Sequence, residues 1–133
     1  MKKIFISLIV LDILTACVPI DRQYYIYLKN NSNIGIWYLT NYNFPDTLLP
    51  DSNLNLYFVS AGEKKIIVGS PQKWEADFTN YFPKDTCQII FFNADTINRY
   101  DWETIKSQYK ISVKIDYSKN YLQSNDWIIN YPI

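Results

Sequence analysis

The acidic side chains that lie closest together in the sequence form two pairs, and paired carboxylates are what many general acid and base mechanisms require. Glu75 lies two positions before Asp77, and Asp101 lies two positions before Glu103. Both pairs fall in segments that we expect to be helical, where residues two apart do not face each other. Asp101 and Glu103 also have a sufficient role as charges at a helix start. Neither pair predicts two carboxylates directed at one substrate.

The chain contains no histidine. It therefore lacks the usual general base near neutral pH, the usual partner of a Ser or Cys nucleophile, and the commonest zinc ligand. The sequence also has no phosphate-binding loop and no metal-ligand spacing. We expect no catalytic residues, no cofactor and no metal, and we do not expect an enzyme.

The charges of the chain are balanced. Thirteen basic and thirteen acidic residues give a formal net charge of zero. A protein that holds a phosphate backbone needs a basic patch or stripe, which this composition does not indicate. Nucleic acid is therefore not an expected partner.

Aromatic residues are frequent, with twelve Tyr, seven Phe and four Trp among 133 residues. Tyr and Trp rings on an exposed sheet face can stack on sugars, while Asn and Asp hydrogen-bond the hydroxyl groups. The candidate ligand-binding residues of this kind are Trp37, Tyr38, Tyr42 and Tyr57. The alternative, which we favour, is that these rings alternate across strands and build the core or shield sheet edges.

The N-terminus has the pattern of an export signal. Lys2 and Lys3 precede the apolar stretch 4–14, which is shorter than the ~20 residues of a membrane span. The following run 14–17, Leu-Thr-Ala-Cys, resembles the lipobox of bacterial lipoproteins. Residues 1–16 are therefore predicted to be a lipoprotein signal peptide, and Cys17 is predicted to carry the lipid. The alternative is an ordinary signal peptide cut near Ala16, with Cys17 unmodified.

The lipobox resemblance implies a compartment. Two or three acyl chains such as palmitate on Cys17 would hold the protein stably in a membrane, which is then its first partner. Residues 17–23 are predicted to be the lipidated N-terminus and a tether, and residues 24–133 a single β-rich domain. Val18 is not the Asp associated with inner-membrane retention, so we expect a cell-envelope protein of the outer membrane. The periplasmic and surface-exposed leaflets both remain open.

The second cysteine lies in a strongly apolar segment. Cys87 begins the run 87–92, Cys-Gln-Ile-Ile-Phe-Phe, which has the character of a central strand covered on both faces. A thiol in such a strand is expected to be buried and inert rather than reactive.

Apolar runs and turn residues predict the other elements. Strands over 24–28 and 34–39 flank an Asn-rich loop, and strands over 54–59 and 65–68 flank a second turn, so each pair is predicted to form an antiparallel hairpin. The remaining predictions are a helix over 71–78 capped by Ser70, a helix capped by Asp101, a half-buried strand over 110–117, a helical turn capped by Ser118 and a last strand over 127–131.

These elements indicate a mostly β protein, namely an antiparallel β-sandwich of about seven strands with two or three short helices. The strands supply the sandwich, and the helices serve as connections between them. An α+β arrangement is the alternative.

Several segments carry a resemblance to a known family. They are Asn30-Asn31-Ser32, Phe44-Pro45-Asp46-Thr47, 74–78, 89–92, Tyr100-Asp101-Trp102 and 125–132. Together they resemble a family of small lipoproteins of Bacteroidetes for which no activity is known. The resemblance spans nearly the whole chain and implies compartment and fold, but no function.

Two short motifs resemble the Asp-Thr-aliphatic sequence at which Bacteroidetes attach O-glycans to exported proteins. They are Asp46-Thr47-Leu48 and Asp95-Thr96-Ile97. The resemblance implies candidate O-glycosylation at Thr47 and Thr96. The alternative is an Asx-turn at Asp46 and a strand-to-helix turn at Asp95.

The sequence therefore predicts a membrane-anchored envelope lipoprotein that acts by non-enzymatic binding or assembly. One hypothesis is a carbohydrate-binding surface lipoprotein, with a glycan as partner. The other is an assembly role, in which an envelope protein docks on an exposed strand edge or aromatic patch.

Overall fold

Residues 22–132 are the part of the chain that the computed structural model describes, so the predicted signal peptide and Cys17 lie outside the described residues. The described residues contain seven strands, four α-helices and one short 3-10 helix. The strands are β1 (Tyr24–Asn30), β2 (Ile36–Asn41), β3 (Tyr57–Val59), β4 (Lys64–Ser70), β5 (Thr86–Asn93), β6 (Val113–Ser118) and β7 (Ile128–Tyr131). The α-helices are α1 (Trp74–Tyr81), α2 (Ala94–Arg99), α3 (Trp102–Ser107) and α4 (Lys119–Ser124), and the 3-10 helix is Pro83–Asp85. No helix among these residues has the length and apolar character needed to cross a membrane.

The strands form two sheets that share one apolar core. One sheet has the order β4-β1-β7 and the other the order β3-β2-β5-β6. The predicted number of strands is confirmed, and the described residues hold four α-helices rather than two or three. The sheets are not purely antiparallel, because β1 pairs with β7 in parallel. The observed fold is a mixed, sandwich-like arrangement of seven strands and four helices.

Both predicted hairpins are wrong. β1 lies in the three-stranded sheet and β2 in the four-stranded sheet, while β3 and β4 are likewise in different sheets. Each connection crosses from one sheet to the other, so the apolar faces of consecutive strands meet across the core instead of side by side. Ile26 and Leu28 of β1 and Ile36 of β2 are buried in the same cluster. The alternation of apolar residues fixes which face is buried, but it does not fix which strand lies alongside.

The side-chain amide of Asn30 hydrogen-bonds to backbone groups of both sheet-crossing connections. The side chain of Asn30 is completely buried. Its Nδ2 donates to the carbonyl oxygen of Ile34 at 2.7 Å and to those of Val59 at 3.3 Å and Ser60 at 3.1 Å. Its Oδ1 accepts from the backbone N–H of Ser32 at 3.0 Å. Asn30 thus satisfies backbone groups of both connections, which pairing within one sheet would otherwise have satisfied.

The central strand is confirmed. β5 pairs with β2 on one side and β6 on the other, and its residues 87–92 are all buried. The Cys87 thiol is completely buried and forms no disulfide among residues 22–132, and burial raises its pKa well above the usual range. The prediction of a buried thiol is therefore confirmed.

The first helix begins later than predicted. α1 starts at Trp74, and its N-cap residue Lys73 makes no side-chain capping bond. Ser70 instead accepts from the N–H of Gln72 at 3.0 Å and donates from its hydroxyl to Asp77. The predicted shared face is confirmed, since Trp74 and Phe78 are both buried with ring centroids 6.2 Å apart.

The later helix caps are confirmed. The N–H of Thr104 donates to Asp101 Oδ1 at 2.8 Å at the start of α3, and this bond is the main reason that the pKa of Asp101 is lowered. The N–H of Tyr121 donates to Ser118 Oγ at 3.2 Å at the start of α4. Both residues satisfy N–H groups that lack a partner within the helix.

Candidate functional site

Two of the predicted ligand-binding residues come together at the surface. Tyr42 and Tyr57 line a hollow of about 130 Å³ with Thr40, Asn55 and Ile67. Tyr42 is 45% exposed and Tyr57 is 46% exposed. We call this site the tyrosine hollow. A second hollow of about 120 Å³ adjoins it and shares Thr40, Tyr42 and Asn55.

Neighbouring rings position the two tyrosines. Tyr42 follows the end of β2 and stacks on Phe82, with ring centroids 5.5 Å apart and ring planes 13° from parallel. Tyr57 begins β3 and packs on Tyr38 of the adjacent strand at 5.7 Å. Partial burial of the phenol raises the pKa of Tyr42 to about 12. Its hydroxyl is therefore neutral at physiological pH and can both donate and accept a hydrogen bond.

The other two predicted residues do not line the tyrosine hollow. Tyr38 is 2% exposed and belongs to the core between the sheets, and this burial raises the pKa of its hydroxyl. Trp37 is half-buried against Phe58, with ring centroids 5.2 Å apart, and it packs on the second apolar cluster. Because side chains alternate along a strand, Trp37 and Tyr38 point to opposite faces of β2.

A row of polar side chains crosses the four-stranded sheet, and Asn41 at its end also lines the second hollow. Asn41 Nδ2 donates to Gln88 Oε1 at 2.7 Å, and Gln88 Nε2 donates to Asp116 Oδ1 at 2.6 Å. Asn41 Nδ2 also donates to the carbonyl oxygen of Asp46 at 2.5 Å. The row therefore ties the loop after β2 to the sheet. Sequence reasoning missed it, because only the strand register places the three side chains side by side.

The two candidate glycosylation motifs adopt the turns given as their alternatives. The N–H of Leu48 donates to Asp46 Oδ1 at 2.9 Å, which forms the Asx-turn. The N–H of Asp95 donates to Asn93 Oδ1 at 2.8 Å, where β5 ends and α2 begins. Thr47 lies in a loop and Thr96 in α2, and both are half-buried.

A wider cavity lies on another part of the surface. It has a volume of about 400 Å³. We call it the arginine cavity. It is lined by Asp95, Thr96, Arg99, Tyr100, Lys110 and Ile111. Among these residues, the sequence analysis proposed a functional role only for Thr96. Their shared cavity forms only when α2 and the segment after α3 lie together.

Three of the four acidic side chains considered for catalysis, those of Asp77, Asp101 and Glu103, have structural partners. Asp77 accepts one hydrogen bond from Asn80 Nδ2 at 2.9 Å and another from the Ser70 hydroxyl. Both bonds lower the pKa of its carboxyl. Asp101 caps α3, and Glu103 lies 3.3 Å from Lys106 Nζ. Within residues 22–132, no three His, Cys, Asp or Glu side chains are grouped so that they could hold a metal ion.

Comparison with known proteins gives no relative from which a role could be carried over. No family model, curated protein sequence or solved structure matches the chain.

Proposed function

We propose that the chain is an envelope lipoprotein, anchored in the outer membrane through acylated Cys17, whose domain acts by non-enzymatic binding or assembly. The support for the anchor is the sequence pattern of residues 1–17 and the short stretch between Cys17 and the first strand at Tyr24. Membership of the Bacteroidetes lipoprotein family belongs to this proposal, as does the β-sandwich class of the fold. Seven strands in two sheets around one core support that class.

Replacing the lipidated thiol tests the anchor. The Cys17→Ser variant should move from the detergent phase to the aqueous phase, because it lacks the acyl chains that anchor the unchanged protein. Its intact mass should lack the lipid. Cys87→Ser is the matched control and should partition as the unchanged protein does. Detergent partitioning of Cys17→Ser like that of the unchanged protein would refute the anchor.

Carbohydrate binding is the second candidate function, and the tyrosine hollow is the observation that favours it. Two half-exposed rings lie beside the polar side chains of Thr40 and Asn55, and they can offer a stacking surface and hydrogen-bond partners in one place. Its small volume suits a site that holds one sugar unit of a longer glycan at the protein surface.

A glycan array probed with the protein in mild detergent tests this function. We expect selective binding of a few neutral glycans, reduced at least about tenfold by Tyr57→Ala, since each lost stacking contact costs on the order of 1.4 kcal/mol. Tyr121→Ala is the matched control, because Tyr121 is exposed but lies in α4. An array with no selective signal would count against sugar recognition.

Assembly with an envelope protein is the alternative role of the same domain. Strand edges and exposed rings offer the surface that such a partner would use. Crosslinking in cells followed by mass spectrometry should then recover a defined partner. Recovery of the protein only as a monomer would favour the glycan hypothesis instead.

O-glycosylation at Thr47 and Thr96 remains a separate proposal, supported only by the two Asp-Thr-aliphatic motifs. An intact mass above that of the polypeptide plus lipid, lowered in steps by Thr47→Ala and Thr96→Ala, is the expected result. A mass equal to polypeptide plus lipid would exclude both sites.

A further inference from the structure

The arginine cavity combines positive charge, hydroxyl-binding groups and apolar wall in one place. Arg99 and Lys110 contribute two cations and Asp95 one carboxylate, so the lining carries a formal charge of plus one. Thr96 adds a hydroxyl, while Tyr100 and Ile111 supply apolar surface. A volume of about 400 Å³ lies within the range of about 300–1,000 Å³ that is usual for small-molecule sites.

Neither of the two cations forms an ion pair within the described residues. Within residues 22–132, the ion pairs are those of Lys106 with Asp51 and Glu103, and neither Arg99 nor Lys110 takes part. Lys110 Nζ lies 4.4 Å from the centroid of the Tyr100 ring, which orients the ammonium group without cancelling its charge. An anionic ligand could therefore bind without first displacing an internal salt bridge.

The balance of charge selects among anions. One negative charge on a ligand matches the net charge of the lining, while Asp95 would repel the second charge of a phosphate dianion. Asp95 can instead accept hydrogen bonds from ligand hydroxyl groups, as can Thr96. The guanidinium of Arg99 presents a fork of donors that fits a carboxylate.

We propose that the arginine cavity binds a sugar unit that carries one carboxylate, that is, a uronic acid. Arg99 and Lys110 bind the carboxylate, Asp95 and Thr96 bind the hydroxyl groups, and Tyr100 with Ile111 packs against the apolar side of the sugar ring. The inference depends neither on the lipid anchor nor on the tyrosine hollow, which is lined by different residues, and it applies to the chain with an unmodified Thr96 hydroxyl.

Calorimetric titration of the full chain in mild detergent tests the site. The probes are glucuronate, glucose and inorganic phosphate at low ionic strength. We expect glucuronate to bind at least about tenfold more tightly than glucose, which corresponds to about 1.4 kcal/mol. Its affinity should fall as salt is raised to about 0.5 M, because the cations lie at the surface. Phosphate should bind more weakly than glucuronate.

Matched charge variants locate the binding. Arg99→Gln should weaken glucuronate binding at least about tenfold. Arg22→Gln removes the same charge from an exposed position before β1 and should leave the affinity unchanged. The proposal would be overturned if glucuronate did not bind, or if it bound no more tightly than glucose or less tightly than phosphate. It would also be overturned if Arg99→Gln left glucuronate binding unchanged. A far-ultraviolet circular dichroism spectrum like that of the unchanged protein verifies that Arg99→Gln is folded.

Discussion

The two faces of β5 differ in what they pack against. Cys87, Ile89 and Phe91 face the three-stranded sheet and lie in the main apolar cluster. On the opposite face, Ile90 and Phe92 lie in a second cluster with residues of the helices α2 and α3 and of the loop after β2. The first face meets another sheet, and the second meets short helices and loop.

The contrast extends to polar groups. The second face carries the hydrogen-bonded row of Asn41, Gln88 and Asp116. Leu39 contributes both to the second cluster and to the hollow beside Tyr42, and Ile111 contributes both to that cluster and to the arginine cavity. The helix-covered face therefore adjoins the second hollow and the arginine cavity. The tyrosine hollow lies at the edge of the sheet-to-sheet side, where Tyr57 packs on Tyr38 and Tyr42 stacks on Phe82.

Truncating the two phenylalanines of β5 gives the largest expected effects and tests this contrast directly. Phe91→Ala should lower the free energy of unfolding by about 4 kcal/mol, and Phe92→Ala by about 3 kcal/mol, because a layer of short helices can collapse into the space more easily than a sheet can. Urea unfolding measures both values. A larger loss for Phe92→Ala would mean that the helix-covered face is the more rigid one.

Removing the buried amide of Asn30 should have the next largest effect. Asn30→Ala leaves carbonyl groups of both sheet crossings without their donor, and we expect a loss of about 3 kcal/mol. Asn31→Ala removes only the exposed bond to Asn130 and should cost under about 1 kcal/mol. Equal urea midpoints for the two variants would contradict the role of Asn30.

Interrupting the polar row should have a smaller effect. Gln88→Leu keeps the side chain near its original size but breaks the bonds to Asn41 and Asp116, with an expected loss of about 1.5 kcal/mol. The loss is limited because Asn41 keeps its hydrogen bond to the carbonyl oxygen of Asp46. Asp116 is exposed, so water can replace the lost bond. Asp116→Asn retains an acceptor and should lose less in the same unfolding measurement.

The smallest effect is a dependence on pH. The hydrogen bonds from Asn80 and Ser70 lower the folded-state pKa of Asp77, so their stabilisation is present above the unfolded-state pKa of about 3.9 and is lost as the pH falls through the folded-state pKa. The difference in urea midpoint between the unchanged protein and Asp77→Asn should shrink between about pH 6 and about pH 2.5. The lowered pKa of Asp101 affects both proteins alike. A constant difference would show that the charge of Asp77 is not involved.

Some local patterns predicted local structure correctly. The apolar run 87–92 is the central strand, and Asp101 and Ser118 cap helices as their residue types indicate. These features depend on neighbours in the sequence, which the sequence shows directly.

Features that depend on distant residues were not predicted. An Asn-rich loop is typical of a hairpin, but Asn30 instead bonds carbonyl groups of two connections far apart in the sequence. The tyrosine hollow was predicted in part, since Tyr42 and Tyr57 line it while Tyr38 is buried. The arginine cavity had no sequence signal, because Arg99 and Lys110 come from different segments.

The buried amide of Asn30 has a consequence for chemical ageing of the chain. Hydrolysis of this amide to a carboxylate would replace the donor by a second acceptor, which would then face the carbonyl oxygens of Ile34, Val59 and Ser60. In the folded protein the side chain is shielded from water, but in the unfolded chain it is open to attack. A molecule deamidated at this position before folding would be unable to close either crossing properly, so prompt folding protects the amide on which the fold depends.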